Sequence, residues 1–158
     1  MSAAAQDRSW DVIMFHHSFE HLSDQVETLR SVARLLSKNG LCIIRIPTVT
    51  SYAWENYKEH WVQLDAPRHF YLHSIKSMQL LATRLGFRIE RILYDSTGFQ
   101  FWGSEQYSRD IPLIADHSYA VEQERSIFSK SEIERFEEKA QLLNSEGRGD
   151  QAAFYLRK

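Results

Sequence analysis

The sequence has little of what punctuates or staples a chain: one cysteine, three prolines and six glycines in 158 residues. A lone thiol, Cys42, cannot close an internal disulfide. That excludes a disulfide-stapled miniprotein and fits a reducing cytoplasm. Glycine and proline are too scarce for collagen or a low-complexity chain. No apolar run approaches the ~20 residues of a membrane span, so no membrane partner is expected. The start, Met1 to Arg8, lacks the apolar stretch of a secretory signal. Neither sign of charge dominates: 19 basic against 21 acidic residues give a net charge of -2. Such a balance exerts no general pull on nucleic acid. A phosphate-cradling loop is also missing. The only G-x-G, Gly147-Arg148-Gly149, follows a predicted helix and precedes a strand, the reverse of the order needed. What is present is an ordinary globular composition, 43% apolar and 25% charged, with 13% aromatic residues including four Trp. The length suits one domain, residues 1–158.

Asp11 to Phe15 is short, apolar and β-prone, the pattern of a buried strand. Ser23 or Asp24 can cap a helix carrying Val26, Leu29, Val32, Ala33 and Leu36, closed by Lys38-Asn39-Gly40. Leu41 to Ile46 is a near-continuous apolar strand. Continuous apolar strands joined through a helix predict a parallel β-α-β unit over 11–46. Residues 47–73 read as a long, irregular, aromatic connection, of the kind that is usually functional. Ser74 caps a helix that ends at Gly86, and Arg88 to Tyr94 forms a strand. Residues 98–103 are expected as a short strand or ordered loop. Residues 104–147 read as a helical insertion, in which Ser131 and Glu134 form a capping box for a helix over 131–146. Ala152 to Leu156 is the last strand.

Chemistry gathers at the strands' carboxyl ends, where open α/β sheets bind ligands. His16-His17-Ser18-Phe19-Glu20-His21 directly follows the first strand and offers imidazoles and a carboxylate for proton transfer. His17-x-x-Glu20-His21 also has the spacing of inverted zinc peptidases, which keeps a zinc hydrolase as an alternative. That chemistry uses one continuous helix, whereas a strand is expected up to Phe15 and a helix only from Ser23, so no metal ligands are assigned. The long connection contributes Arg68 for an anionic group, His69 as a base, and Trp54, Tyr57 and Trp61 as stacking surfaces. The alternative for each aromatic is plain cover of apolar surface.

The ordered segments "WDVIMFHHSFEHL", "LLSKNGLCIIRIPT" and "HWVQLDAPRHFYLHS" resemble the carboxyl-terminal half of class I S-adenosylmethionine-dependent methyltransferases. The resemblance is greatest to the bacterial group with an Asp-x-Pro-Arg-His segment. It covers about residues 9–103, and "GDQAAFYLRK" resembles the family's last strand. The resemblance implies an α/β, partial Rossmann-like methyltransferase sheet. Residues 11–15, 41–46, 88–94 and 152–156 would be strands four to seven of the order 3-2-1-4-5-7-6, with the last strand antiparallel. It implies S-adenosylmethionine as cofactor, bordered by Phe15, His16, His17 and Ser18. It implies a small-molecule acceptor near His21, Trp54, Trp61, Asp65 and Arg68, with His17, Glu20 or His69 as base.

The family's glycine-rich turn and ribose-binding acid have no counterpart before Trp10. A truncated domain, inactive alone, is therefore expected. The unpaired edge of strand 11–15 would then favour a homo-oligomer or a docked partner. Alternatively, the helix over 131–146 folds back across the uncovered sheet face. A non-catalytic interaction module, or half of a split protein, is the competing reading.

Overall fold

The computed structural model describes residues 9–158; the Met1 to Arg8 start lies outside the described residues. The elements in chain order are β1 (Trp10–His16), α1 (Gln25–Leu35), β2 (Leu36–Pro47), α2 (Tyr52–Tyr57), α3 (Ile75–Arg84), β3 (Arg88–Tyr94), α4 (Phe99–Tyr107), α5 (Lys130–Ser145) and β4 (Gln151–Arg157). Single 3-10 turns occur at Phe19–His21, Lys58–His60, Val62–Leu64 and Gln123–Arg125.

The four strands form one sheet in the order β1-β2-β4-β3. β1 and β2 run parallel, and β4 runs antiparallel to both of its neighbours. This is the order expected for strands four, five, seven and six. The alternation of β2 turns Cys42, Ile44 and Ile46 to one face, beside Ala152, Phe154 and Leu156 of β4. Leu29 and Val32 of α1 and Met78 and Ala82 of α3 close over them to form the main core. Burial there pushes the Cys42 thiol up to about 12, so it stays protonated and unreactive. A smaller core joins Phe101 of α4 to Ala140 and Leu143 of α5, with Tyr52, Tyr57 and Phe136 against it.

Helix caps follow local chemistry. The Asp24 carboxylate accepts the Glu27 N–H at 2.9 Å to start α1. Ser74 and Ser77 reciprocate in a capping box at the start of α3. Gly86 takes a left-handed φ of 80° just past α3, which favours a residue without Cβ.

Four expectations are corrected. First, α1 does not run to Lys38-Asn39-Gly40. It stops at Leu35, and Leu36 is already extended and paired with Trp10. Leu36 is buried in the main core. Gly40 serves close strand approach instead, because a Cβ there would sit 3.0 Å from the Trp10 carbonyl oxygen and 2.6 Å from Leu36 Cγ. Second, residues 98–103 are neither strand nor loop. They open α4, where packing overrides the β propensity of Phe99, Phe101 and Trp102. Gly103 lets α4 approach Val62, whose Cγ2 would lie 2.8 Å from an added Cβ. Third, the capping box is Ser129 with Glu132, two residues earlier than expected. Fourth, α5 packs on α4 and beside β3, not across the outer sheet face. Val12 and Met14 remain exposed there, at 56% and 61%. No helix among the described residues is long and apolar enough to cross a membrane.

Candidate active site

β1, β2 and β3 point their carboxyl ends the same way, and the loops that follow them converge there. His17 leaves β1 with a left-handed φ of 47°, and its N–H donates to the Arg45 carbonyl at 3.0 Å. That turn carries the chain into the Phe19–His21 turn. Phe19 is fully buried in the core and anchors it, which carries the neighbouring Glu20 side chain inward.

Glu20 is the unusual group of the site. Its side chain is 0% exposed, and neither carboxylate oxygen has a hydrogen-bond partner. His17 Nδ1 approaches Oε1 at 3.5 Å and His69 Nε2 at 3.9 Å. Three sequence-predicted residues, His17, Glu20 and His69, are therefore brought together from two loops.

The connection after β2 delivers His69. Asp65 adopts a left-handed φ of 42°, and its carbonyl accepts the N–H groups of Arg68 and His69 at 2.9 and 3.2 Å. The Glu20 carbonyl accepts from Phe70 at 2.9 Å and Tyr71 at 3.3 Å, which ties the two loops together. The His69 ring is 5% exposed, and its Nδ1 lies 2.9 Å from the Gln63 carbonyl. A carbonyl only accepts, so Nδ1 carries a proton, and Nε2 is left facing Glu20 and Asp65 Oδ2, the latter at 3.7 Å. His21 is held the same way, with Nδ1 2.8 Å from the Arg68 carbonyl. The two rings lie 4.7 Å apart.

Arg45 organises the opposite side. Its Nε donates to Asp95 Oδ2 at 2.6 Å, and its Nη1 meets Nε2 of both His16 and His17. Guanidinium groups only donate, so the His17 proton sits on Nδ1, the atom facing Glu20. Gln151 Nε2 in turn donates to Asp95 Oδ1 at 2.9 Å. Sequence reasoning passed over Arg45. Arg45 is the one charge in the apolar run 41–46, and that was the available signal.

The remaining candidates divide. Phe15 packs edge-on against Phe19 at 5.4 Å. His16 is exposed and Ser18 half-buried. The Arg68 side chain is exposed and paired with Asp65 at 2.5 Å, which raises its pKa. Trp54 is half-buried under Lys58, whose Nζ lies 5.6 Å from the ring centroid. Trp61 is fully buried, so it has no face free to stack on a ligand. Its indole N–H donates to Asp150 Oδ2 at 2.9 Å. Asp150, at the entry to β4, was not expected in the site. Burial raises its carboxyl to about 6, against the opposing pull of the Trp61 and Ser96 hydrogen bonds.

The zinc-peptidase spacing is not realised as sequence suggested. His17 and His21 do not share a helical face, because a left-handed residue and a single 3-10 turn separate β1 from α1. The residues whose ligand atoms do converge are Glu20, His21 and His69.

A sheet of this order, antiparallel at β4 and with titratable groups at the carboxyl ends of its strands, defines a Rossmann-like α/β protein of the methyltransferase type. The comparisons agree. The model of the methyltransferase domain family matches residues 1–92, more than half of the chain, and the chain belongs to that family. No curated protein sequence matches it. Among solved structures it is similar to a SAM-dependent methyltransferase from Thermotoga maritima (TM-score 0.56, 13% identity), covering 97% of this chain and 57% of that one. It is also similar to a SAM-dependent methyltransferase from Archaeoglobus fulgidus (TM-score 0.50, 19% identity), covering 97% and 61%. A mycolic acid cyclopropane synthase complexed with SAH and CTAB aligns over 96% and 56%, with TM-score 0.51 and 20% identity. Such identities speak to fold alone. The chain spans less than two thirds of the length of each of these proteins.

Proposed function

We propose that the β1 end is the acceptor side of an S-adenosylmethionine-dependent methyl-transfer site. The observation that carries this reading is Glu20, a fully buried carboxylate without a hydrogen bond, set between His17 and His69. S-adenosylmethionine, when bound, supplies an electrophilic methyl group. The chain's own part is to seat a small-molecule acceptor and take its proton as the acceptor's lone pair attacks. Glu20 and His69 Nε2 are the free bases for that step. His17 is bonded through Nε2 to Arg45 and serves to orient Glu20.

The fit to the cofactor is partial. Exposed His16 and the polar turn at His17 and Ser18 suit its methionine end. A glycine-rich turn between a strand and a helix is what cradles a nucleotide's remainder. Among the described residues, no strand-to-helix turn is glycine-rich. Binding of SAH by this chain alone is therefore expected to be weak, with a Kd of about 1 mM or above, no better than about -4 kcal/mol. An NMR titration checks this: backbone shifts confined to Phe15–Ser18 and their neighbours support the reading. No shifts at several millimolar SAH, or shifts only elsewhere, overturn it.

The second reading, an interaction module, is favoured by the outer face of β1. Trp10, Val12 and Met14 are exposed on a strand paired only on its β2 side among the described residues. Such a strand is a template for a second copy of the chain. Light scattering at tens of micromolar is expected to report self-association that V12K/M14K abolishes. These exposed sites should cost the fold little, within about 0.5 kcal/mol each. A monomeric parent chain would end this reading.

A further inference from the structure

The geometry points to a divalent transition-metal site, of the kind that takes Zn2+, built from Glu20, His21 and His69. One ligand atom from each residue lies within 4.8 Å of the other two. The inference does not depend on methyl transfer; with a metal bound, Glu20 and His69 serve as its ligands instead of as free bases.

Three independent features favour a cation here. First, a fully buried carboxylate with both oxygens unpartnered is costly, and buried polar groups without partners are rare in folded proteins. A dication supplies the missing partner. Second, both imidazoles are held as metal-ligating histidines are. Each gives its Nδ1 proton to a backbone carbonyl, His21 to Arg68 at 2.8 Å and His69 to Gln63 at 2.9 Å. Each Nε2 lone pair is thereby left for a metal. Third, His17 approaches Glu20 at 3.5 Å with its own proton fixed on the facing nitrogen, an outer partner for a ligating carboxylate.

The donor set selects the ion. Two imidazoles and one carboxylate suit Zn2+, Co2+ or Fe2+ and not the all-oxygen preference of Mg2+ or Ca2+. A zinc ion with ligands at about 2.0–2.2 Å holds donor atoms about 3.3–3.6 Å apart. The donor atoms lie within 4.8 Å of one another, so no pair needs to close by more than about 1.5 Å to reach that value. Three protein ligands leave a position for water or another oxygen donor.

Of the H-x-x-E-H residues, Glu20 and His21 belong to this cluster and His17 does not. His69 comes from the other loop, 48 residues after His21.

The test uses the full 158-residue chain, tag-free and stripped with chelator, then titrated with Zn2+ against a chromophoric competitor. One bound equivalent is expected, and Co2+ should give the visible absorption bands of a low-coordinate site. H21A, H69A and E20Q should each weaken binding by at least the about 10–100-fold that even outer-shell partners cost. H60A and H117A, at exposed histidines, should not change it. Zn2+ should raise the Tm of the parent chain but not of H21A, whose half-buried site makes it the variant best able to fold. Absence of stoichiometric binding by the parent, or undiminished binding by H21A with intact circular dichroism, overturns the assignment.

Discussion

Replacing Asp150 by Asn is expected to stabilise the protein at about pH 8 and to change little at about pH 4. The Asp150 carboxyl is buried at the entry to β4, and desolvation lifts its pKa from 3.8 to about 6. In that interval the folded chain holds a proton that the unfolded chain has released. A raised carboxyl contributes stability that is fully present below the unfolded value and is lost as pH rises through the folded one. A shift of this size corresponds to about 3 kcal/mol. Asn keeps an acceptor for the Trp61 indole and carries no charge at any pH. D150N should therefore melt about 6–12 °C above the parent at alkaline pH, using about 2–4 °C per kcal/mol for a chain of this length. The difference should shrink as pH falls through 6 toward 4. Melting curves at a series of pH values decide it. A variant less stable than the parent at pH 8, with no loss at pH 4, would show that the charged form is the one the fold favours.

Much of the sheet was legible because its strands follow simple rules. Cys42, Ile44 and Ile46 alternate into one face, and the neighbouring Leu41, Ile43 and the β1 residues are also apolar, so the run announced a strand without its partners being known. The errors fall where long-range contact outweighs local preference. Gly40 looked like a helix terminator, but it lets β2 pass close to Trp10. Phe99 to Trp102 looked β-prone, yet packing on Val62 and α5 makes the segment helical. In the site, His16 to His21 could be read because they follow a strand. Their partnership with His69 could not, since it depends on the left-handed turn at Asp65 and on the Glu20 carbonyl holding Phe70 and Tyr71. Asp150 carried no motif at all. Its importance comes from Trp61, 89 residues away, whose aromatic character suggested ligand stacking and whose indole proton decided otherwise.

That indole underlies the second large effect. Trp61→Phe should destabilise the protein more at about pH 8 than at about pH 5, by about 1.5–3 kcal/mol, the range for losing a hydrogen bond to a charged group. Above pH 6 Asp150 is ionised, and Trp61 is its buried side-chain donor from the loop. Below pH 5 the carboxyl is largely protonated, and loss of that donor matters less. A smaller, pH-independent loss should remain from the volume removed beside Trp54. In the D150N background the pH-dependent part should vanish, which makes the pair a double-mutant cycle with pH as its internal control. A W61F cost that is flat with pH, or unchanged by D150N, would break the link. The consequence reaches the site because Trp61 directly precedes the Val62–Leu64 turn, and that turn supplies the Gln63 carbonyl that fixes His69. Anchoring the loop at Asp150 and setting the His69 ring beside Glu20 are thus parts of one structural arrangement. A loop freed by W61F should blur the orientation of His69 even under conditions where the fold survives.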